Sequence, residues 1–471
     1  MPIDLNKKAL DWENISKDEH EMLRDLQGNI LKGHGRSHAE HIFLRFDPTA
    51  VGAVKEFLRG LASSITPALE QIKDATTLRQ IPTDDPAARA ISDKIFIGVA
   101  LSSSGYIALG IGLDQTPDSP EFRLGMKARA QALGDPLVES WDEVFSQDLH
   151  AMVLLAGGSA TAVAAAGQAL RASIPAAVTV VGSERGLGMR NQNGDGIEHF
   201  GYVDGRSQPL FLKEDVAREP AGAWDPSFPL GQALVPSPGA TRDTSHGSYF
   251  VFRKLEQDVH GFKQKEEELA DALGLHGQDR SQAGAMVVGR FEDGTPVVMR
   301  SAEGLLPVTN DFNFNGDPQG HRCPFQSHIR KTNPRGESVG TFAASEAEER
   351  AHIMPRRGIP YGQRDADRLE DGRITGFRDR PRGGVGLLFM AYQSDISGQF
   401  EFTQRLWANN PEFVNADTGI DPVIGQGQGQ PQAWPTTWGG DEAKSFNFSG
   451  FVTMRGGEYF FTPSISFFHS L

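Results

Sequence analysis

HIFLRFDPTAVGAVKEFL (41–58) and YFVFRKLEQDVHGFKQKEEEL (249–269) share one layout. Each begins with a short run rich in Phe, Leu, Ile and Val, passes an acidic turn, and continues with apolar residues at helical spacing. HAMVLLAGGSATAVAAAGQAL (150–170) and GLLFMAYQSDISGQFEFTQRL (386–406) repeat that layout, one in each half of the chain. The pattern predicts a duplicated unit: an α+β fold of two ferredoxin-like domains, each built from βαβ units with an antiparallel sheet and helices.

Around these stretches the sequence predicts strands at 41–46, 94–102, 150–158 and 177–184, with helices over 50–65 and 160–173. In the second half, SYFVFRKL (248–255) leads into a helix over 258–274, AMVVGRF (285–291) follows, and GVGLLFMAYQ (384–393) leads into a helix over 396–410. A boundary falls near 215–245. The expected organisation is an N-terminal extension (1–36), a first domain (37–215) and a second domain (216–471). With 471 residues the chain exceeds what one ordinary core holds, which agrees with two units.

The 53 glycines and 28 prolines point to many turns and long ordered loops. A net charge of −15 repels nucleic acid and anionic membranes. The single cysteine, Cys323, excludes an intramolecular disulfide. The N-terminal residues carry no apolar signal region, and no run approaches the ~20 apolar residues of a membrane helix, so a cytoplasmic protein is expected.

Three glycine-rich segments, 185–210, 305–335 and 350–385, interrupt the strand–helix rhythm. Long ordered loops of this kind carry function. In GIEHFGYVDGRSQP (196–209), Asp204 stands between glycines that permit a tight turn and close approach to a flat ligand. In HRCPFQSHIRKTNPR (321–335), His328 is a candidate metal ligand followed by cations suited to carboxylates. In IMPRRGIPYG (353–362), an arginine pair precedes a stiff turn that can present a guanidinium to a pocket. In GLLFMAYQ, Leu387 and Phe389 point to one face and Leu388 and Met390 to the other, so both faces are apolar and one can wall a ligand. An isolated Asp-Gly turn, one of 13 histidines, or a surface arginine pair would each be unremarkable alone. NQNGDG (191–196) and DFNFNG (311–316) resemble calcium loops but lack the glutamate at the twelfth position. RGLGMRN (185–191) lacks the third glycine of a dinucleotide loop.

Taken together and in this order, GYVDG, HIRKTNPR, RRGIPYG and GLLFMAYQ, with QGNILKGHGR (27–36) before them, resemble the dye-decolorising peroxidase family over about residues 25–465. The resemblance implies two ferredoxin-like domains sandwiching a haem b. It implies a haem peroxidase that reduces hydrogen peroxide and oxidises dyes or small aromatic reductants in one-electron steps. Carried over residue by residue, it makes Asp204 the distal acid/base and Arg356 the distal arginine, with Arg357 the alternative by one register. It makes His328 the iron ligand, Leu387 and Phe389 the apolar pair over the distal face, and Arg330 a propionate contact. An acidic residue behind the histidine is implied, with Asp395 and Glu401 both candidates. Tyr361, Tyr392, Trp407, Trp434 and Trp438 are candidate electron relays. A haem carrier without turnover is the alternative reading, and a homo-oligomer is compatible with the sequence.

Overall fold

A computed structural model describes residues 3–82, 85–220, 222–240, 242–342 and 344–471. Eight strands form one antiparallel sheet. They are β1 (His38–Phe46), β2 (Phe96–Ser102), β3 (Ala151–Gly157), β4 (Val178–Leu187), β5 (His246–Gln257), β6 (Ile359–Tyr361), β7 (Gly386–Gln393) and β8 (Val452–Thr462). Their order is β4-β1-β3-β2-β8-β5-β7-β6, and the two-residue strand Val235–Pro236 pairs onto β5.

That order is one motif written twice. Within each half the fourth strand lies beside the first, then come the third and the second, as in a ferredoxin-like βαββαβ unit. The registers correspond: β1 pairs β3 with Ile42 opposite Val153, and β5 pairs β7 with Phe252 opposite Met390. The halves join through β2 and β8, where Leu101 faces Phe461 and Ser102 faces Phe460. At the far ends of the sheet, β4 and β6 touch without a ladder among the described residues. A Cβ on Gly186 would lie 2.4 Å from Ile359 Cγ2, so glycine is what lets the two edges meet.

The sequence explains the elements. Ile42, Phe43 and Leu44 are all buried because β1 is covered on both faces. Helix α1 (Val51–Ala62) buries Val54, Leu58 and Ala62, the apolar positions at helical spacing. Helix α2 (Ala160–Ser173) starts at Ser159, whose side chain accepts the Ala162 N–H, and it packs on β1 and β3. Helix α3 (Val259–Leu273) starts at Asp258, which caps Gly261, and ends at Gly274 in the left-handed region. Phe43 of β1 meets Phe252 of β5 edge-on at 5.2 Å, so corresponding strands of the two halves share one core.

Three features differ from the sequence expectation. AMVVGRF falls mainly on the end of a helix, α4 (Ser281–Val288), which stops at Gly289. The helix expected over 396–410 is wound as two π-helical segments, Ile396–Glu401 and Thr403–Ala408. Strands β6 and β8 complete the second unit and were not expected.

Candidate active site

The three glycine-rich segments and β7 converge on a cavity of about 930 Å³. That is the size of a cofactor cleft, roughly 300–1,000 Å³. Asp204, His328, Arg356, Leu387 and Phe389 all line it.

Asp204 is aimed by its turn. Its N–H donates to Gly196 O at 2.9 Å, and Gly201 and Gly205 hold φ of +100° and +73°. Beyond the adjacent Gly205 N–H, at 2.6 Å, its carboxylate takes no hydrogen bond among the described residues and stands exposed in the cavity.

The arginine pair separates into two roles. Arg357 also lines the cavity but is tied to backbone: its guanidinium donates to Asn29 O (2.7 Å) and Ile30 O (2.8 Å), and its N–H donates to Met390 O in β7 (2.6 Å). QGNILKGHGR thus serves as a seat for Arg357. Arg356 points into the cavity, held by its N–H on Gln208 Oε1 (2.9 Å) and by Nη2 on Ser207 O (3.1 Å). It has no carboxylate ion-pair partner among the described residues. Burial lowers its pKa, and the nearby charge of Asp204 opposes that shift.

His328 opens the short helix α5 (His328–Thr332). Its Nδ1 lies 2.8 Å from Asp421 Oδ2, and its Nε2 has no hydrogen-bond partner among the described residues. Asp421 is fully buried, and its other oxygen accepts the Val423 and Ile424 N–H groups at 2.8 and 2.9 Å. Burial disfavours the imidazolium, but the charge and hydrogen bond of Asp421 outweigh that and raise the His328 pKa.

Asp421 therefore corrects the expectation of Asp395 or Glu401 behind the histidine. Asp395 is exposed, and its carbonyl accepts the Gln399 N–H at the start of the π-helical turn. Glu401 is buried but engaged elsewhere, by Arg129 Nε (2.9 Å) and the Tyr459 hydroxyl (3.0 Å). The trace of Asp421 in the sequence is a lone charge within an apolar stretch, Ile420-Asp421-Pro422-Val423-Ile424, and such a charge needs a buried partner.

Arg330 is also corrected. Two positions after His328 on α5, it lies about 200° round the helix, away from the cavity. Its fully buried guanidinium is consumed by Asp317 Oδ2 (3.0 Å), Glu337 and Cys323 O. The cations that do line the cavity include Arg206, Arg290 and Arg335. Arg290 and Arg335 are buried, and neither pairs with a carboxylate among the described residues; they bond carbonyls, Ser207 Oγ and, for Arg335, Asn310 Oδ1. Burial and neighbouring positive charge depress both pKa values, Arg290 to about 10. These are buried positive charges without a countercharge.

Part of the lining is apolar. Leu387 and Phe389 are half-buried toward the cavity, while Leu388 and Met390 on the other face of β7 are fully buried.

Comparison with known proteins identifies the family. The chain is 46% identical to the multifunctional dye peroxidase DyP2 of Amycolatopsis sp., over all of both chains. The chain belongs to the dye-decolorising peroxidase family. The model of the DyP dimeric alpha+beta barrel domain matches residues 25–188. The solved DyP-type peroxidase of Anabaena sp. superposes with a TM-score of 0.89 at 40% identity, covering 99% of this chain and 98% of that one. A dye-decolorizing peroxidase solved in complex with 2,6-dimethoxyphenol superposes with a TM-score of 0.72 at 26% identity, covering 95% and 98%. This chain is accordingly a peroxidase with the α+β fold of that family, which is a family of haem enzymes. No helix among its described residues is long and apolar enough to cross a membrane.

Proposed function

We propose that the cavity would hold haem b through His328 Nε2, and that Asp204 and Arg356 work on hydrogen peroxide in the same cavity. The observation that carries this is the state of His328: it lines a cavity of cofactor size with one ring nitrogen fixed by a buried carboxylate and the other unengaged. The donor set fits the group. An apolar wall at Leu387 and Phe389 suits a flat macrocycle, and the uncompensated Arg290 and Arg335 suit its propionates.

When bound, the haem supplies the electrons that cleave the peroxide O–O bond. The chain supplies the proton handling. Asp204, free of partners apart from its own turn, accepts the proton from one peroxide oxygen and delivers it to the other, so that water leaves. Arg356 holds a fixed positive charge toward the cavity and stabilises the negative charge that develops on oxygen. Asp421 keeps the Nδ1 proton of His328 in place, which leaves Nε2 as the ligating atom and makes the ring more electron-rich. Leu387 and Phe389 exclude water beside the reacting oxygens.

The electrons are returned by two one-electron oxidations of dyes, phenols or other small aromatic reductants, in keeping with the dimethoxyphenol complex of the related structure. The test is the absorption spectrum of the haem-reconstituted protein before and after one equivalent of peroxide. The Soret band should shift with peroxide, should not form normally in His328→Ala, and should respond more slowly in Asp204→Ala and Arg356→Leu, by roughly 10²-fold or more. A Soret band indifferent to peroxide would refute the reading and favour a carrier.

A further inference from the structure

We infer that Glu198 is a positioning residue for the peroxide step: its carboxylate closes the hairpin that presents Asp204 and fastens that hairpin to the sheet. The inference rests on the peroxidase reading above.

Asp204 has little of its own to hold it. Apart from the Gly205 N–H, its carboxylate takes no hydrogen bond among the described residues, so its aim is set by the backbone that carries it. That backbone is a short hairpin, residues 196–204. The Asp204 N–H donates to Gly196 O, Ile197 bridges Val203, and the Glu198 N–H donates to Tyr202 O at 3.2 Å. Cross-strand partners share a face, and successive residues alternate. Ile197 and Val203 therefore face one way, into a small cluster with Met189 and Ile374 that is separate from the main core. Glu198, Tyr202 and Asp204 face the other way, and all three line the cavity.

Backbone alone does not close this hairpin. The Gly201 N–H takes Glu198 O at 3.0 Å, the acceptor that the Tyr202 N–H would use in a regular ladder. The Tyr202 N–H turns instead to Glu198 Oε1 (3.0 Å), and the Phe200 N–H goes to Glu198 Oε2 (2.7 Å). Phe200 and Tyr202 are buried, and an unpaired N–H there is costly. Oε2 also accepts from Gln257 Nε2, on the last residue of β5, which ties the hairpin to the sheet. The position thus needs two acceptor oxygens on one side chain, which a carboxylate has and an amide lacks.

A carboxylate is an expensive choice here. Burial pushes the Glu198 pKa up to about 7 against the three N–H donors, and the charge of Asp204 adds to the rise. Arg364 is the cation nearby, but its guanidinium is engaged by Asp379 and by His199 O. Gln257 suits either protonation state: its Oε1 has no partner, so the amide can turn and accept from a protonated Glu198. Other contacts hold the tip of the hairpin. His199 Nε2 lies 2.7 Å from Tyr361 O, and the Phe200 ring stacks on Phe262 of α3 at 3.8 Å. The Tyr202 hydroxyl donates to Glu266 of α3 and steadies one arm. Among the described residues, Glu198 is the side chain that binds the two arms to each other. A carboxylate displaced by about 1 Å from its reacting position can lose on the order of 10²-fold in rate.

The experiment has a haem-free and a haem-loaded arm, on the wild type, Glu198→Ala, Glu198→Gln and Asp204→Ala. Hydrogen exchange followed by mass spectrometry on the haem-free protein should show segment 196–204 exchanging roughly 10-fold faster in Glu198→Ala. The effect should be smaller in Glu198→Gln, which keeps one acceptor oxygen. In the haem-reconstituted protein, the second-order rate of the peroxide-induced Soret change should fall by about 10- to 100-fold in Glu198→Ala. It should fall by less in Glu198→Gln, and haem affinity should stay at the wild-type value in both. On the Asp204→Ala background either change should lower that rate by less than about twofold more, because the group being positioned is gone. Where Glu198→Ala fails to fold, Glu198→Gln decides by the same comparison. Wild-type exchange in 196–204, a wild-type peroxide rate, a loss confined to haem affinity, or an equal further loss on the Asp204→Ala background overturns this inference and leaves the peroxidase reading standing. Absence of any peroxide-induced Soret change in the wild type overturns both.

Discussion

Replacing Asp421 by Asn tests the proximal side of the site most directly. In the native geometry one carboxylate oxygen accepts two backbone N–H groups, from Val423 at 2.8 Å and Ile424 at 2.9 Å, and the other faces His328 Nδ1 at 2.8 Å. An Asn at this position has one acceptor oxygen. The two backbone donors claim it, because turning the amide round would leave two buried N–H groups facing an NH₂. The NH₂ then faces Nδ1. Two donors cannot bond, so the imidazole gives up its Nδ1 proton and carries one on Nε2, the atom needed for iron. Changes to carboxylates behind a ligating histidine weaken metal binding or activity by roughly 10- to 100-fold, about 1.4–2.8 kcal/mol. Haem titration followed at the Soret band should show a loss of this size, and the midpoint potential of the bound iron should rise as the ring becomes less electron-rich. Asp395→Asn, at the exposed start of the π-helical turn, should change neither quantity. Wild-type haem affinity and potential in Asp421→Asn, or a shift produced by Asp395→Asn instead, would refute the assignment.

Three further outcomes are expected. Arg330→Met should act on the fold: it strands Asp317 and Glu337 in a buried setting and should lower unfolding free energy by about 3–5 kcal/mol, while Arg335→Met, at the cavity, should weaken haem binding more than it lowers the melting temperature of the haem-free chain. His41 and His199 are fully buried, and burial lowers the pKa of each from 6.5 to about 4. Their folded-state pKa values lie below the unfolded value, so the unfolded chain binds more protons between those limits. Stability is then fully present above pH 6.5 and is lost as pH falls toward about 4, with a slope near 1.4 kcal/mol per pH unit for each histidine. Denaturant titrations of the haem-free protein at pH 7, 6 and 5 would measure this loss, and a pH-independent midpoint would contradict it.

Much of the fold was legible because strand and helix periods are local. β1, β3, β5 and β7 are dense apolar runs, and the repeated layout matched first strand with first and third with third. The elements that escaped have local reasons. β6 is three residues, Ile359–Tyr361, inside a glycine-rich segment, too short for a period to register. β8 is interrupted by Arg455-Gly456-Gly457, where its register against β5 shifts between Met454 and Gly456, so alternation breaks in the middle of the strand. AMVVGRF is apolar enough for strand or helix, and its packing settled it as helix.

For the site, the sequence by itself determined which candidate residues a turn presents to the cavity. Asp204 needs its flanking glycines, and Arg356 needs the stiff segment that follows it. The alternation of GLLFMAYQ already separated Leu387 and Phe389 from Leu388 and Met390. The tertiary structure alone decided the partnerships, because a carboxylate or a cation acquires its role from what the fold brings against it. Asp421 stands 93 residues from His328 in the chain and meets it only across the cavity wall. Arg357 looked interchangeable with Arg356 until the backbone carbonyls of Asn29 and Ile30 claimed it. Arg330 had the charge expected of a cofactor contact but lies on the far side of its helix, locked in an ion-pair network. Periodicity fixes which face of an element a residue occupies, whereas only packing fixes which distant charge that face will meet.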